Sequence, residues 1–82
     1  MRVLLVEDDL SIAKSLETAL NNQGFTVDAV ATGEAALFLI ANTEIDVVIL
    51  DIGLPDIDGL SVLRKVREKW KTLPVIKKYA AG

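Results

Sequence analysis

Hydrophobic positions along the chain alternate between short aliphatic runs and longer stretches with apolar residues at helical spacing. Residues 3–6 and 45–50, apart from Asp46, are aliphatic, which predicts strands buried on both faces of a sheet. Residues 25–30 largely alternate apolar with polar side chains, as in a half-exposed edge strand. Residues 73–76 are predicted to form a fourth strand.

Helical patterns fill the three intervals between these runs. Asp9 is suited to cap the first helix, and residues 21–24, Asn-Asn-Gln-Gly, supply its end. Thr32 precedes the second helix, and the third follows a loop at 51–58. The resulting order, β-α-β-α-β-α-β, favours a doubly wound, mostly parallel α/β sheet.

Composition narrows the chemistry available to the chain. Its 82 residues, about half of them hydrophobic, suffice for one domain with a core. The sequence has no Cys and no His, which excludes disulfides, the common zinc sites and an imidazole base. It contains no signal-peptide pattern and no apolar run near the roughly 20 residues that span a bilayer. We expect a soluble cytoplasmic protein without membrane contact.

Charge is distributed unevenly. Residues 1–58 contain 11 of the 12 acidic residues and two of the nine basic ones. The seven bases that follow are interpreted as a solvated helix face and tail rather than a nucleic-acid surface, because no groove-reading motif accompanies them. These bases are Arg64, Lys65, Arg67, Lys69, Lys71, Lys77 and Lys78.

Carboxylates follow both buried strands. Asp51 ends one aliphatic run, and Glu7, Asp8 and Asp9 follow the other. In an open parallel sheet, ligands bind at the carboxyl ends of the strands. If these two strands are neighbours, the acids meet, and a divalent cation, most plausibly Mg²⁺, would offset their repulsion. A phosphoryl group could then be delivered to one carboxylate.

Each feature also has a simpler interpretation. Residues 7–9 could be acids that complement a helix dipole, and Asp51 could cap a turn before Gly and Pro. Asp56 and Asp58 are interpreted as turn and cap residues rather than metal ligands, since a helix follows directly. A calcium-binding loop is excluded, because with Gly59 at its sixth position it would need acids where the sequence has Leu54 and Lys65.

Three motifs resemble those of the receiver domain of bacterial two-component response regulators. They are VLLVEDD at 3–9, DIGLPDIDG at 51–59 and LPVI at 73–76, and the loop wording is most similar to the OmpR-like, winged-helix class. The resemblance implies a flavodoxin-like, three-layer α/β/α fold, here with strand order 2-1-3-4. It also implies a transcription-regulating parent protein whose DNA-binding domain lies downstream.

The same resemblance implies the roles of the site residues. Asp51 would be the phospho-acceptor, and Glu7 and Asp8 would form the acidic pair. Mg²⁺ would be held by Asp8, Asp51 and the backbone carbonyl of Gly53. The implied partner is a sensor histidine kinase, and the implied function is phosphorelay signalling rather than enzymatic turnover.

The chain also departs from the family pattern after its fourth strand. A receiver domain continues there into a Ser or Thr, whereas Tyr79 falls at or near that position. No counterpart of the family's strand-five Lys is present, and Lys77 and Lys78 are not assigned its role because they belong to strand four. Residues 1–82 are therefore expected to form a truncated receiver domain without strand five and helices four and five.

Two further expectations follow from this interpretation. Switching should be defective, and an uncovered fourth strand carrying Val75 and Ile76 should recruit a second copy, giving a homo-oligomer. The alternative function is a self-assembling fragment or engineered scaffold that does not signal. A phosphohydrolase that uses Asp51 is disfavoured, since Gly53 stands where a separate general acid would be required.

Overall fold

Four strands alternate with three helices in the computed structural model, which describes residues 1–78. The alternation predicted from the hydrophobic pattern is confirmed. Within these residues, no helix is both long and apolar enough to span a bilayer. The elements in chain order are β1 (Arg2–Val6), α1 (Leu10–Asn22), β2 (Thr26–Val30), α2 (Gly33–Asn42), β3 (Val47–Asp51), α3 (Gly59–Lys69) and β4 (Val75–Lys78).

The four strands form one parallel sheet in the order β2-β1-β3-β4. This is the predicted flavodoxin-like order. Strands β1 and β3 lie side by side at the centre, with Val6 of β1 paired to Leu50 of β3. Since Glu7 and Asp51 each come one residue later, the fold places these two acids next to each other at one edge of the sheet.

The main hydrophobic core fills the space between the sheet and helices α2 and α3. Alternate residues of the two central strands face this side, as the period of two in a strand requires. The opposite face buries Val3 and Leu5, on the side of α1, which contacts β1 and β2. The buried core residues between the sheet, α2 and α3 are Leu4, Val6, Ala36, Ile40, Val48, Leu50, Val62 and Val66.

The residue directly before each helix caps it with a side-chain oxygen. Asp9 accepts a hydrogen bond from the Ile12 amide at the start of α1, as predicted. Thr32 accepts one from Ala35 in α2. Asp58 accepts one from Ser61 in α3. These caps satisfy amide groups that have no partner inside the helix.

Helix α1 ends where the Asn-Asn-Gln-Gly segment predicted. Gly24 adopts a φ of 91°, a conformation that glycine reaches without the steric penalty of a Cβ atom. Its amide bonds to the carbonyl of Asn21, and the Phe25 amide bonds to that of Leu20. This pair of bonds closes the helix and turns the chain into β2.

The structure corrects the bounds of all four strands, by one residue in β1 and β2 and by up to two residues in β3 and β4. Strand β4 includes Val75–Lys78 rather than 73–76, because Pro74 has no amide hydrogen to donate whereas Lys78 accepts a hydrogen bond from Ile52 across the sheet. Strand β3 begins at Val47 instead of residue 45. The side chain of Asp46 instead accepts a hydrogen bond from the Arg2 amide.

Candidate functional site

Three carboxylates meet at the carboxyl ends of β1 and β3. One oxygen from each of Glu7, Asp8 and Asp51 lies within 4.8 Å of the others. Glu7 and Asp51 are buried, whereas Asp8 is exposed. The predicted convergence of these residues is confirmed, and the group offers only oxygen donors, which are the ligands that Mg²⁺ prefers.

Asp51 is the last residue of β3 and is only 6% exposed. Its Oδ1 accepts a hydrogen bond from the Gly53 amide at 3.1 Å. This contact brings residue 53 next to the carboxylate. The assignment of the Gly53 carbonyl as a metal ligand remains a prediction.

Glu7 is 3% exposed, and both of its carboxylate oxygens have partners. Oε1 accepts a hydrogen bond from the Asp9 amide at 3.1 Å. Oε2 is 2.9 Å from Nζ of Lys78, in an ion pair. A buried carboxylate requires such partners, because its charge is costly away from water.

Lys78 was grouped by sequence with the solvated basic tail, and for this residue that interpretation is wrong. Its side chain points to the acidic cluster, although it belongs to β4. The hydrogen bond to Glu7 raises the pKa of Lys78. Burial opposes this shift, whereas the charges of Glu7, Asp51 and Asp9 add to it. The ammonium group therefore remains charged at neutral pH.

A clue to the position of Lys78 lies in the strand register. Lys78 pairs with Asp51 across β3 and β4. Paired residues in adjacent strands point to the same face of a sheet. A sequence-based alignment of strand four against strand three would have placed the Lys78 side chain on the side of the acids.

Asp58 and Asp56 have the capping and turn roles that the sequence predicted. Asp58 caps α3, as described above. Asp56 acts over a longer distance, since its two oxygens accept hydrogen bonds from the amides of Gly33 at 2.8 Å and Glu34 at 3.0 Å. It thereby ties the loop after β3 to the first turn of α2. This link was not predicted, because its partners lie more than 20 residues away in sequence.

The Asp56 bonds predict an acid dependence of stability. Hydrogen bonds from the Gly33 and Glu34 amides lower the pKa of Asp56. A carboxyl group whose pKa is lower in the folded state stabilises the fold above its unfolded pKa of about 3.9, and this contribution is lost as pH falls through the folded value. Asp56→Asn is therefore expected to lower the melting temperature at pH 7, with a difference that shrinks below about pH 4.

Thermal melts between pH 2 and pH 7 test this expectation. Glu44→Gln is the control, because Glu44 is exposed and lies outside the helix N-termini. A constant difference between wild type and Asp56→Asn across this range would contradict the proposed linkage.

Tyr79, the residue predicted near the family's Ser or Thr position, lies outside the described residues. Among the other bases, Arg67 donates to the backbone carbonyl of Leu73 from the last turn of α3. Its charge there also suits the negative end of the helix dipole. Arg67 thus has a structural contact at the end of the sheet opposite the acidic cluster.

Sequence comparisons connect this geometry to known proteins. A family model described as the response regulator receiver domain matches residues 3–78. The two-component response regulator PhoP of Pseudomonas aeruginosa is 37% identical over 82 residues, covering 100% of this chain and 36% of PhoP. The transcriptional regulatory protein TctD of Salmonella typhimurium is 43% identical over 76 residues, covering 93% of this chain and 34% of TctD. The chain thus spans about a third of the length of these relatives.

Solved structures agree with the sequence matches. The response regulator TrrA of Thermotoga maritima, in complex with Mg²⁺-BeF, superposes with a TM-score of 0.94 at 36% identity, over 99% of this chain and 70% of TrrA. TrrA in complex with the histidine kinase ThkA superposes with a TM-score of 0.92 over the same shares. The receiver domain of the Francisella response regulator 1452 gives 0.92 at 34% identity, over 96% of this chain and 65% of that one.

Proposed function

The chain belongs to the response regulator receiver domain family, and from that premise we propose that Asp51 is its phospho-acceptor. A receiver domain of a two-component response regulator is a signalling domain. Its proposed chemistry is the uptake of one phosphoryl group at a defined carboxylate. The observation that carries the proposal is the position of Asp51, buried at the end of a central strand and beside two further carboxylates.

The proposed reaction is a displacement at phosphorus. A carboxylate oxygen of Asp51 attacks the phosphorus atom of the donor and forms a new oxygen–phosphorus bond, while the bond to the leaving group breaks and its electron pair leaves with that group. The bond from the Gly53 amide to Oδ1 fixes the orientation of the carboxylate. The product is an acyl phosphate on Asp51.

The acidic cluster fits a resident Mg²⁺ ion. Its oxygen-only donor set matches the ligands that Mg²⁺ takes, which are one or two carboxylates together with waters and oxygens of a phosphate group. We propose that Asp8, Asp51 and the Gly53 carbonyl hold the ion, with Glu7 as the second member of the acidic pair. When bound, the ion neutralises negative charge that gathers around the transferred phosphoryl group.

A sensor histidine kinase is the proposed phosphoryl donor. The solved structure of ThkA with TrrA, a structural relative of this chain, is a complex between a histidine kinase and a response regulator. The same fold here, at 36% identity to TrrA, supports a partner of that class. Transcription regulation is proposed for the parent protein by analogy with relatives such as TctD.

Intact mass spectrometry of the wild-type chain tests the chemistry without the kinase. After incubation with Mg²⁺ and acetyl phosphate, we expect one phosphoryl adduct per chain, and none when EDTA replaces Mg²⁺. Circular dichroism on the same sample establishes that the chain is folded. A folded chain that gains no adduct would refute the proposed function.

We also propose that a second copy of the chain pairs with β4. Within residues 1–78, β4 has a strand neighbour only on the β3 side, and Ile76 on this strand is 57% exposed. An open strand edge with an exposed apolar side chain favours pairing with another chain.

Light scattering should therefore give a mass above the monomer value, and Ile76→Lys should shift it toward the monomer. A monodisperse wild-type monomer at all concentrations would contradict this assembly.

A further inference from the structure

Lys78 lies in one row with two residues of the acidic cluster. Val6 pairs with Leu50, so that Glu7, one residue beyond β1, lies beside Asp51, the last residue of β3. Asp51 in turn pairs with Lys78 on β4. The three side chains come from three adjacent strands. Because neighbouring strands are about 4.8 Å apart, Lys78 must extend past β3 to reach Glu7.

The backbone holds Lys78 in this row. Its carbonyl accepts a hydrogen bond from the Ile52 amide at 3.1 Å, directly after the phospho-acceptor. The Lys78 side chain is 32% exposed, whereas the side chain of Glu7 is 2% exposed. The ion pair thus joins a partly exposed base to a buried acid.

The same cluster is the proposed site of the divalent cation. A divalent cation bound among these carboxylates would repel the Lys78 ammonium, because two positive charges a few Å apart raise the electrostatic energy of the site. Both would also use oxygens of the same group of acids. The ammonium group and the metal ion therefore compete for the negative charge of the same carboxylates.

We propose that Lys78 is a built-in counter-ion that competes with the divalent cation for the acidic cluster. In the metal-free state the ammonium compensates the buried charge of Glu7, and metal binding displaces it. This inference rests on the proposed function, because it requires the cluster to bind a divalent cation. Lys78 acts as a positioning residue that sets the metal concentration at which the site becomes ready for phosphoryl transfer.

Metal titration of Lys78 variants tests the competition. Mn²⁺ is the probe, and its binding to the 82-residue chain is followed by electron paramagnetic resonance. Lys78→Met is expected to bind Mn²⁺ about tenfold more tightly than wild type, the scale of a lost hydrogen bond to a charged group. Lys78→Arg, which keeps the charge, should bind like wild type.

Two further variants complete the series. Lys77→Met is the matched control, because Lys77 is the adjacent residue on β4 and is exposed; its Mn²⁺ affinity should equal that of wild type. Lys78→Gln loses the charge but keeps a donor for Glu7. It should also bind Mn²⁺ more tightly, and it covers the case in which Lys78→Met does not fold.

Stability without metal provides the second readout. In EDTA, Lys78→Met should unfold at a lower urea concentration than wild type, because Glu7 loses its partner. The proposal therefore requires opposite signs, lower metal-free stability with higher metal affinity. A purely structural role for Lys78 would lower the stability without raising the affinity.

The outcomes separate this inference from the function on which it rests. If wild type binds Mn²⁺ and the neutral Lys78 variants bind it no more tightly, the competition is refuted while the metal site stands. If the neutral variants bind Mn²⁺ and wild type does not, the competition is supported, and Lys78 excludes the metal at the concentrations used. If no folded variant binds Mn²⁺, the proposed metal site itself is refuted, and the competition with it.

Discussion

Asp51→Asn is expected to abolish phosphoryl uptake from acetyl phosphate in the presence of Mg²⁺. The amide that replaces the carboxylate has the same shape and can still accept the hydrogen bond from Gly53, but it lacks the anionic oxygen that attacks phosphorus. We expect the rate of adduct formation to fall at least about a thousandfold, to the background of the assay. Intact mass spectrometry over time measures this rate.

The fold should survive this substitution. Asp51 is one of three carboxylates whose oxygens lie within 4.8 Å of one another, and removing one charge relieves repulsion among them. Asp51→Asn should therefore be at least as stable as wild type in the absence of metal. Lost uptake combined with retained stability would separate a chemical role from a structural one.

Asp56→Asn is the matched control for the Asp51 substitution. It makes the same chemical change in the loop that follows Asp51, but at a residue that binds the first-turn amides of α2 instead of joining the acidic cluster. We expect this variant to take up the phosphoryl group. If Asp51→Asn gains an adduct as fast as wild type, the assignment of the phospho-acceptor is wrong.

The sequence predicted the acidic cluster because its geometry follows from the sheet. Two runs that are aliphatic apart from Asp46 indicated central strands, and each was followed directly by acids. Once the two strands are neighbours, their carboxyl ends lie at one edge of the sheet, and the position of Glu7 beside Asp51 requires no further information. The structure adds the depth of burial of each carboxylate.

Local capping contacts were predictable for a similar reason. Asp9 and Asp58 accept hydrogen bonds from amides three residues ahead, so their partners lie within a single helical turn. Asp56 bonds instead to the amide of Gly33. That contact depends on how the loop after β3 packs against α2, which no local pattern encodes.

Lys78 was misassigned because the sequence was interpreted by composition and not by register. A cluster of bases near the end of a chain is usually a solvated surface, and two Lys residues in a strand resemble an edge. The decisive fact was that Lys78 pairs with Asp51. The hydrophobic pattern ended strand four at residue 76, and although the family resemblance placed Lys78 on that strand, its register against strand three was not considered.

Helix α3 begins so close to the end of β3 that residue 59 has no room for a side chain. A Cβ atom at Gly59 would lie 2.5 Å from the Cα atom of Ile52 and 2.8 Å from the carbonyl oxygen of Asp51. Both are backbone atoms, which cannot rotate away as a flexible side chain can. Ala at position 59 must therefore push the first turn of α3 away from the end of β3.

Gly59→Ala is expected to destabilise the domain by about 3 kcal/mol, the upper range for overpacking a tight site. For a domain of this size, that corresponds to a fall in melting temperature on the order of 15 °C. The small gain in helix propensity from Gly to Ala, at most about 1 kcal/mol, does not offset it. Thermal and urea denaturation measure the loss.

Gly53→Ala is the matched control, in the loop that leads into α3. A Cβ atom there would meet only Oδ1 of Asp51 at 3.9 Å, an ordinary contact distance, and Gly53 does not have a positive φ. Its stability should change by no more than about 1 kcal/mol, in the stabilising direction, because Ala restricts the unfolded chain. If both substitutions lowered the stability equally, neither position would tolerate a side chain. The close packing of Gly59 against β3 would then not explain the loss.

The two glycine variants also connect packing to chemistry. Because a Cβ atom at Gly59 would press against the carbonyl oxygen of Asp51, Ala at this position should move the phospho-acceptor itself. A displacement of about 1 Å can reduce a positioned reaction about a hundredfold. Gly59→Ala should therefore take up the phosphoryl group far more slowly than Gly53→Ala, even at a temperature where both are folded. Equal rates would mean that Asp51 keeps its place independently of α3.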